Sequence, residues 1–418
     1  SVKLSRNGLQ ITYAQIPGWQ TRRGANLKIQ NLISHRCEIV SSWRKMTPGS
    51  YINNFPFQAD RQAERKRSAK TGGDLAMTHT LPEKIAGQEQ LDELQSRPSQ
   101  RLIEMMQTLD GDVMVIGATG KVGPHLVRMA CRAVQASGVS RRVYAVARSD
   151  MADLEQAGAT TIRCDLLDPE AVARLPLVRN VIFLVGFKFG AESAKSMTWA
   201  VNVIAPYHVA RHFQGSRIVA YSTGCVYPVM SIRSGGATED TPPEPVGEYA
   251  QSCLGRERMF DVFADRGQEE VVHLRLNYAV ECRYGVLYDV ASKVMAGTPI
   301  DLTTGYANVI WQGDVCNQSL LALPVASAPA TILNVTGPEM FSIRQVALEF
   351  GRLMKRTPVF SGEENGFGYL NNSTRATGLF GYPQVPLATL IRWTAAWILD
   401  GGASLGKPTH FETQDGKY

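Results

Sequence analysis

Val113-Met114-Val115-Ile116-Gly117-Ala118-Thr119-Gly120-Lys121-Val122-Gly123 is the stretch that decides how this chain folds. An apolar run of four residues breaks into three glycines at three-residue spacing. Gly117 can take the turn, Gly120 lets backbone approach a diphosphate, and Gly123 lets the next helix pack close to the strand. The free N–H groups and positive dipole end of that helix then face the anion. Glycine spacing alone is weak, because glycine-rich turns are common. The residues that follow strengthen it: Val122, Leu126, Val127, Ala130, Ala133 and Val134 recur at helical spacing. Pro124 stands in the first turn, where its missing N–H costs nothing. Gly117, Thr119, Gly120, Lys121, Val122 and Gly123 are therefore candidate phosphate contacts.

Outward from this turn, strand-like runs recur at 142–147, 160–164, 180–185, 217–221 and 271–276, separated by helical stretches at 152–157, 199–213 and 249–265. This alternation predicts an α/β fold: a Rossmann-type, doubly wound parallel sheet with helices on both faces. Residues 111–276 form the dinucleotide-binding domain on this reading, and 77–110 a helical lead-in with one amphipathic helix over 83–109. From 277 to 418 the elements become shorter and mixed, with helices expected at 287–296, 343–355 and 387–400. That portion reads as a smaller mixed α/β substrate lobe, with segments returning to the sheet, over the carboxyl ends of the strands.

The 418 residues carry a net charge of +6, but it is unevenly spread. Residues 1–76 hold 13 Lys and Arg against four acids, leaving 31 basic and 34 acidic residues in 77–418. The extension includes Arg61-Gln62-Ala63-Glu64-Arg65-Lys66-Arg67 and lacks sustained periodicity, so it reads as disordered. It is a flexible tail, a nucleic-acid or membrane-surface arm, or translated sequence upstream of a start at Met77, the last being favoured. Nucleic acid is the least favoured partner, since no aromatic platform alternates with the charges. No run is apolar and long enough to span a membrane and no signal-peptide pattern opens the chain, so a cytoplasmic location is expected. Seven scattered cysteines without a C-x-x-C pair read as reduced, mostly buried thiols.

Three further places carry chemistry. After Val143-Tyr144-Ala145-Val146-Ala147 comes Arg148, and one position earlier, at Ala147, an acid bound to a ribose 2′-hydroxyl is usual in NAD sites. Ala147-Arg148 leaves room and a cation for a 2′-phosphate, which favours NADP over NAD. Asp165-Leu166 ends the third strand, where a carboxylate can meet the adenine amine and the leucine its ring. Val185, closing the next strand, is a further candidate contact. Finally, Thr223 at a strand end and Tyr249 opening a helix form a proton-transfer pair for carbonyl and alcohol chemistry, the phenol as acid or base and the hydroxyl orienting the substrate oxygen.

In this order the pieces resemble the extended short-chain dehydrogenase/reductase superfamily, in particular its NAD(P)-dependent sugar epimerase/dehydratase branch, over about residues 111–400. Gly117 to Gly123 is similar to its glycine motif, and Asp165-Leu166 to its adenine-binding pair. Val201-Asn202-Val203 resembles the segment with the structural active-site asparagine, and Ser222-Thr223-Gly224-Cys225-Val226-Tyr227 its S-[ST]-x-x-V-Y stretch. Arg275-Leu276-Asn277, Gln312-Gly313-Asp314-Val315 and Leu333-Asn334-Val335-Thr336-Gly337 look like its later signatures. The resemblance implies Thr223 and Tyr249 as catalytic groups, Asn202 at the site, a nucleotide-sugar or similar substrate, and a homodimer.

One departure matters more than the matches: the family's Tyr-x-x-x-Lys reads Tyr249-Ala250-Gln251-Ser252-Cys253 here. The family's lysine binds the nicotinamide ribose and lowers the phenol pKa, and a cysteine supplies no such charge. The expectation is an oxidoreductase or epimerase-type enzyme with weakened acid–base catalysis; the alternative is a dinucleotide-binding scaffold or sensor. Arg256, two turns along, is a candidate substitute cation, with a solvated arginine the plainer reading. His208 and His212 read as helix-face packing rather than a metal site, Cys253 as a packed thiol, and Trp311 as core. Phe187-Lys188-Phe189 replaces the usual small residues after the fourth strand, and either narrows the cofactor pocket or reaches the substrate.

Overall fold

The computed structural model describes Val2–Ser5, Gly8–Ile11 and residues 81–416. Val2–Ser5 and Gly8–Ile11 pair antiparallel as a short hairpin. The expectations for the basic cluster at 61–67 and for Met77 lie outside the described residues.

Seven strands form one sheet: β1 (Val113–Ile116), β2 (Val143–Ala147), β3 (Thr160–Arg163), β4 (Asn180–Phe183), β5 (Arg217–Thr223), β6 (Glu270–Leu276) and β7 (Thr331–Val335). Their order is β3-β2-β1-β4-β5-β6-β7, and every neighbouring pair is parallel. This is the Rossmann-like α/β fold, in which the order reverses between β1 and β4 and opens a crevice at the strands' carboxyl ends. β1, β2 and β4 are buried along their whole length because helices cover both faces, whereas β3 is half-exposed at the edge.

On one face, Val113 and Val115 pack with Leu126, Ala130 and Val134; on the other, Met114 and Ile116 pack with Phe183, Phe213 and Phe260. Alternate residues of one strand thus feed two cores, as the two-residue period requires. A third core, beyond the sheet, gathers Val290, Phe350, Trp311 and Trp393.

The single helix expected over 83–109 is two: α1 (Gln88–Gln95) and α2 (Gln100–Thr108). Pro98 disfavours helical backbone in the residue before it, and Ser99 restarts the helix by accepting from the Leu102 N–H at 3.2 Å. Next come α3 (Gly123–Ser137) and α4 (Gly247–Ala264), then α5 (Val286–Ala296), α6 (Ile343–Met354) and α7 (Leu387–Leu399) beyond the sixth strand. The stretch read as 199–213 runs from Lys195 to His212 and contains a π-helical segment, Ala200–Ile204. His208 and His212 bond the backbone oxygens of Leu166 and Leu175, each at 2.9 Å. Trp311 stacks edge-on against Trp393.

Candidate functional site

The glycine loop stands at the reversal of strand order. Gly117 has φ +96°, a conformation a side chain strains to adopt, and a Cβ there would crowd Val185 at 3.0 Å. A Cβ on Gly123 would lie 2.5 Å from the Ala118 carbonyl oxygen, so α3 can start this close to β1 only without one. Pro124 stands in the first turn of α3, as its fixed φ favours.

A cavity of about 290 Å³ opens over this loop, lined by Gly117, Thr119, Gly120, Arg148, Asp165, Leu166 and Val185, among others. Leu166 is buried, while Arg148 and Asp165 are exposed at the rim. A second cavity of about 390 Å³ shares Gly117, Gly120, Leu184 and Gly186 with the first. Its wall includes Lys121, Val122, Gly123, Lys188, Thr223 and Tyr249. The two together make one cleft that runs across the switch point from the β2 tip to α4. Of the residues proposed from sequence as cofactor contacts or catalytic groups, Asn202 is the one that lines neither cavity.

Asn202 serves the loop instead. From the π-helical segment its Oδ1 accepts from the Phe187 N–H (2.8 Å) and from Arg256 (2.7 Å), and its Nδ2 donates to the Phe187 oxygen (3.1 Å) and Ser252 Oγ (2.9 Å). This ties the segment after β4 to α4. Arg256 is not a solvated arginine: it is buried, and donates to the Tyr221 carbonyl at 2.8 Å. A Cβ on Gly186 would come within 2.9 Å of its guanidinium, so that glycine is the space Arg256 occupies.

Thr223 closes β5, and its hydroxyl accepts from the Cys225 N–H at 3.2 Å. Tyr249 lies in the first turn of α4, with Cys253 one turn further along the same helix. Burial, with Cys253 and Cys225 adding to it, holds that phenol well above its ordinary range, and Arg256 only partly opposes them. Burial likewise raises the Cys253 thiol, which is fully enclosed with Val226, Tyr227 and Ala237. In this state Tyr249 is a hydrogen-bond donor and a weak base.

One turn further along α4, Glu257 is buried in a bidentate pair with Arg275 of β6, at 2.9 and 2.7 Å. It also accepts from Ser222 Oγ at 2.6 Å, which fixes the strand end that carries Thr223.

Residues 113–280 match the sequence profile of the NAD dependent epimerase/dehydratase family. The matched segment runs from β1 through α4 to just beyond β6. No curated protein matches this chain. Among solved structures, DesIV, a dTDP-glucose 4,6-dehydratase from Streptomyces venezuelae with NAD and TYD bound, is similar with a TM-score of 0.58 and 19% identity, covering 69% of this chain and 97% of that one. UDP-glucose 4-epimerase from Thermotoga maritima, with UDP-glucose, gives 0.57 and 16%, over 69% and 99%. MoeE5 in complex with UDP-glucose and NAD gives 0.56 and 21%, over 69% and 99%. At these identities the likeness is one of fold.

Sequence reasoning left the role of Phe187-Lys188-Phe189 open and did not bring Lys407 into the site. Lys188, Phe189 and Lys407 all line the second cavity. Nothing local in the sequence joins Lys407 to a loop more than two hundred residues earlier. No group of three or more metal-ligating side chains stands together among the described residues, and no described helix is long and apolar enough to cross a membrane.

Proposed function

We propose that this protein is a nicotinamide-dinucleotide-dependent enzyme acting on a hydroxyl or carbonyl carbon of a nucleotide-sugar or similar polyol. The observation that carries the reading is the continuous cleft: the glycine loop lies at its middle, Arg148 and Asp165 at one end, Thr223 and Tyr249 at the other. A Cβ at Gly117 or Gly123 would strike Val185 or the Ala118 carbonyl, so these glycines allow the tight strand-turn-helix packing that leaves Gly120, bare of a side chain, on the wall of both cavities, which fits a diphosphate there.

On this reading Gly117, Thr119, Gly120, Val122 and Gly123 hold the diphosphate, Asp165, Leu166 and Val185 surround the adenine half, and Asn202 keeps the loop after β4 in place. Exposed Arg148, at the tip after Ala147, supports NADP over NAD, whereas the similar solved structures carry NAD. When bound, the nicotinamide supplies hydride acceptance and donation. Thr223 orients the substrate oxygen, and Tyr249 gives it a proton or takes one. Because the phenol lacks a lysine one turn away, its basic role is weakened by some part of the roughly 10²–10⁴ that acid–base catalysis contributes.

The buried Cys253 thiol, which stands one turn from Tyr249 and supplies no cation, favours a second reading, a dinucleotide-binding scaffold with little turnover. The two are separated by single-turnover reduction of bound cofactor with UDP-glucose as the trial substrate. An enzyme loses this signal in Tyr249→Phe and Thr223→Ala while keeping cofactor affinity; a scaffold gives no signal to lose.

A further inference from the structure

Lysines from three distant parts of the chain meet in the second cavity: Lys121 from the glycine loop, Lys188 from the loop after β4, and Lys407 from the C-terminal segment. Lys121 Nζ lies over the Tyr284 ring at 3.4 Å and near Phe189 at 4.4 Å. Lys188 Nζ faces the Tyr249 ring at 5.7 Å and donates to the Thr409 oxygen at 3.4 Å. The electron-rich faces of Tyr284 and Phe189 favour the charged form of Lys121.

The carboxylates that bear on Lys121 are engaged elsewhere. Asp289 accepts both the N–H and the hydroxyl of Thr409, at 2.8 and 2.5 Å, and Glu281 pairs with Arg283 at 3.0 Å. Neither lines the cavity. Burial, then Lys188 and Lys407, bring Lys121 down to about 7, and burial lowers Lys188 as well, so an anion placed among them would favour their charged forms.

The C-terminal segment is fastened as a strap. Besides Thr409 on Asp289, Phe411 is buried, the Glu412 carbonyl accepts from Thr304 at 2.9 Å, and Gly416 packs against Gly247 at the start of α4. Lys407 is exposed on this strap, at the mouth of the cavity.

We propose that Lys121, Lys188 and Lys407 form a binding site for an anionic group on the substrate itself, a carboxylate or a phosphate of a sugar acid or sugar phosphate, seated beside Tyr249. This rests on the proposed function and narrows its substrate class to polyols carrying their own negative charge near the reacting carbon.

The test is ligand-observed NMR on the full chain saturated with NAD or NADP, with D-glucuronate, D-glucose 6-phosphate and D-glucose as probes. The site predicts that at least one charged probe binds tenfold or more tighter than D-glucose. It also predicts that Lys407→Gln and Lys121→Gln each erase at least tenfold of that preference. The probe that wins separates carboxylate from phosphate. Equal binding of charged and neutral probes overturns the site and leaves the dinucleotide reading standing. A loss in Lys121→Gln confined to cofactor affinity assigns that lysine to the cofactor's diphosphate and also overturns it. Capture of D-glucuronate that depends on Lys407 in a chain that binds neither dinucleotide upholds the site and removes the redox reading.

Discussion

Tyr249 and Cys253, one helical turn apart on α4, set a thiol against a phenol where a lysine would place a positive charge. A thiol cannot stabilise a phenolate, and burial pushes the phenol further from ionisation. Replacing Cys253 by lysine restores the cation but buries it beside Arg256. Turnover is expected to rise about tenfold or more at neutral pH, within the range acid–base catalysis spans, while the melting temperature falls. Unchanged turnover in a folded Cys253→Lys protein would show that Tyr249 is not aimed at a substrate.

The Glu257–Arg275 pair is almost wholly enclosed, at 1% and 2% side-chain exposure. Breaking it leaves a buried charge alone, which costs about 3–5 kcal/mol. Glu257→Ala should lose that much in urea unfolding, and the double replacement Glu257→Leu with Arg275→Met should regain most of it. A loss below about 1 kcal/mol for the single variant contradicts this assignment.

Glu269, just before β6, is 2% exposed and neither carboxylate oxygen has a hydrogen-bond partner. Burial raises its pKa to about 9, from the ordinary 4.5. The folded form then holds its proton more tightly than the unfolded form. Its share of stability is complete below pH 4.5 and is lost as pH rises toward 9. Glu269→Gln removes that loss and should gain about 3 kcal/mol at pH 7 while flattening the melting temperature between these limits. A wild-type melting temperature that climbs over this interval with no change in Glu269→Gln would refute it.

What was readable in the sequence was what local chemistry fixes. The apolar run into Gly117, Gly120 and Gly123 marks strand, turn and helix, because backbone geometry alone demands it. Thr223 and Tyr249 were singled out because they stand at element ends in a recognisable order, and both line the second cavity. The break at Pro98 was missed because the apolar periodicity continues across it. Arg256 was misjudged because a helical arginine looks solvated until Asn202 and the Tyr221 carbonyl are known to face it. The meeting of Lys121, Lys188 and Lys407 depends on the sheet order and the path of the strap, which no spacing encodes.

The central claim is that the cleft over Gly117, Gly120 and Gly123 holds a nicotinamide dinucleotide, and titrating the full chain with NADPH and NADH at fixed salt tests it most directly. Nicotinamide fluorescence and melting temperature should both respond, with NADPH the tighter ligand. Arg148→Ala should cost NADPH about tenfold or more, as loss of a charge-assisted phosphate contact does, and leave NADH unchanged. If neither dinucleotide changes fluorescence or melting temperature, the account is contradicted at its root.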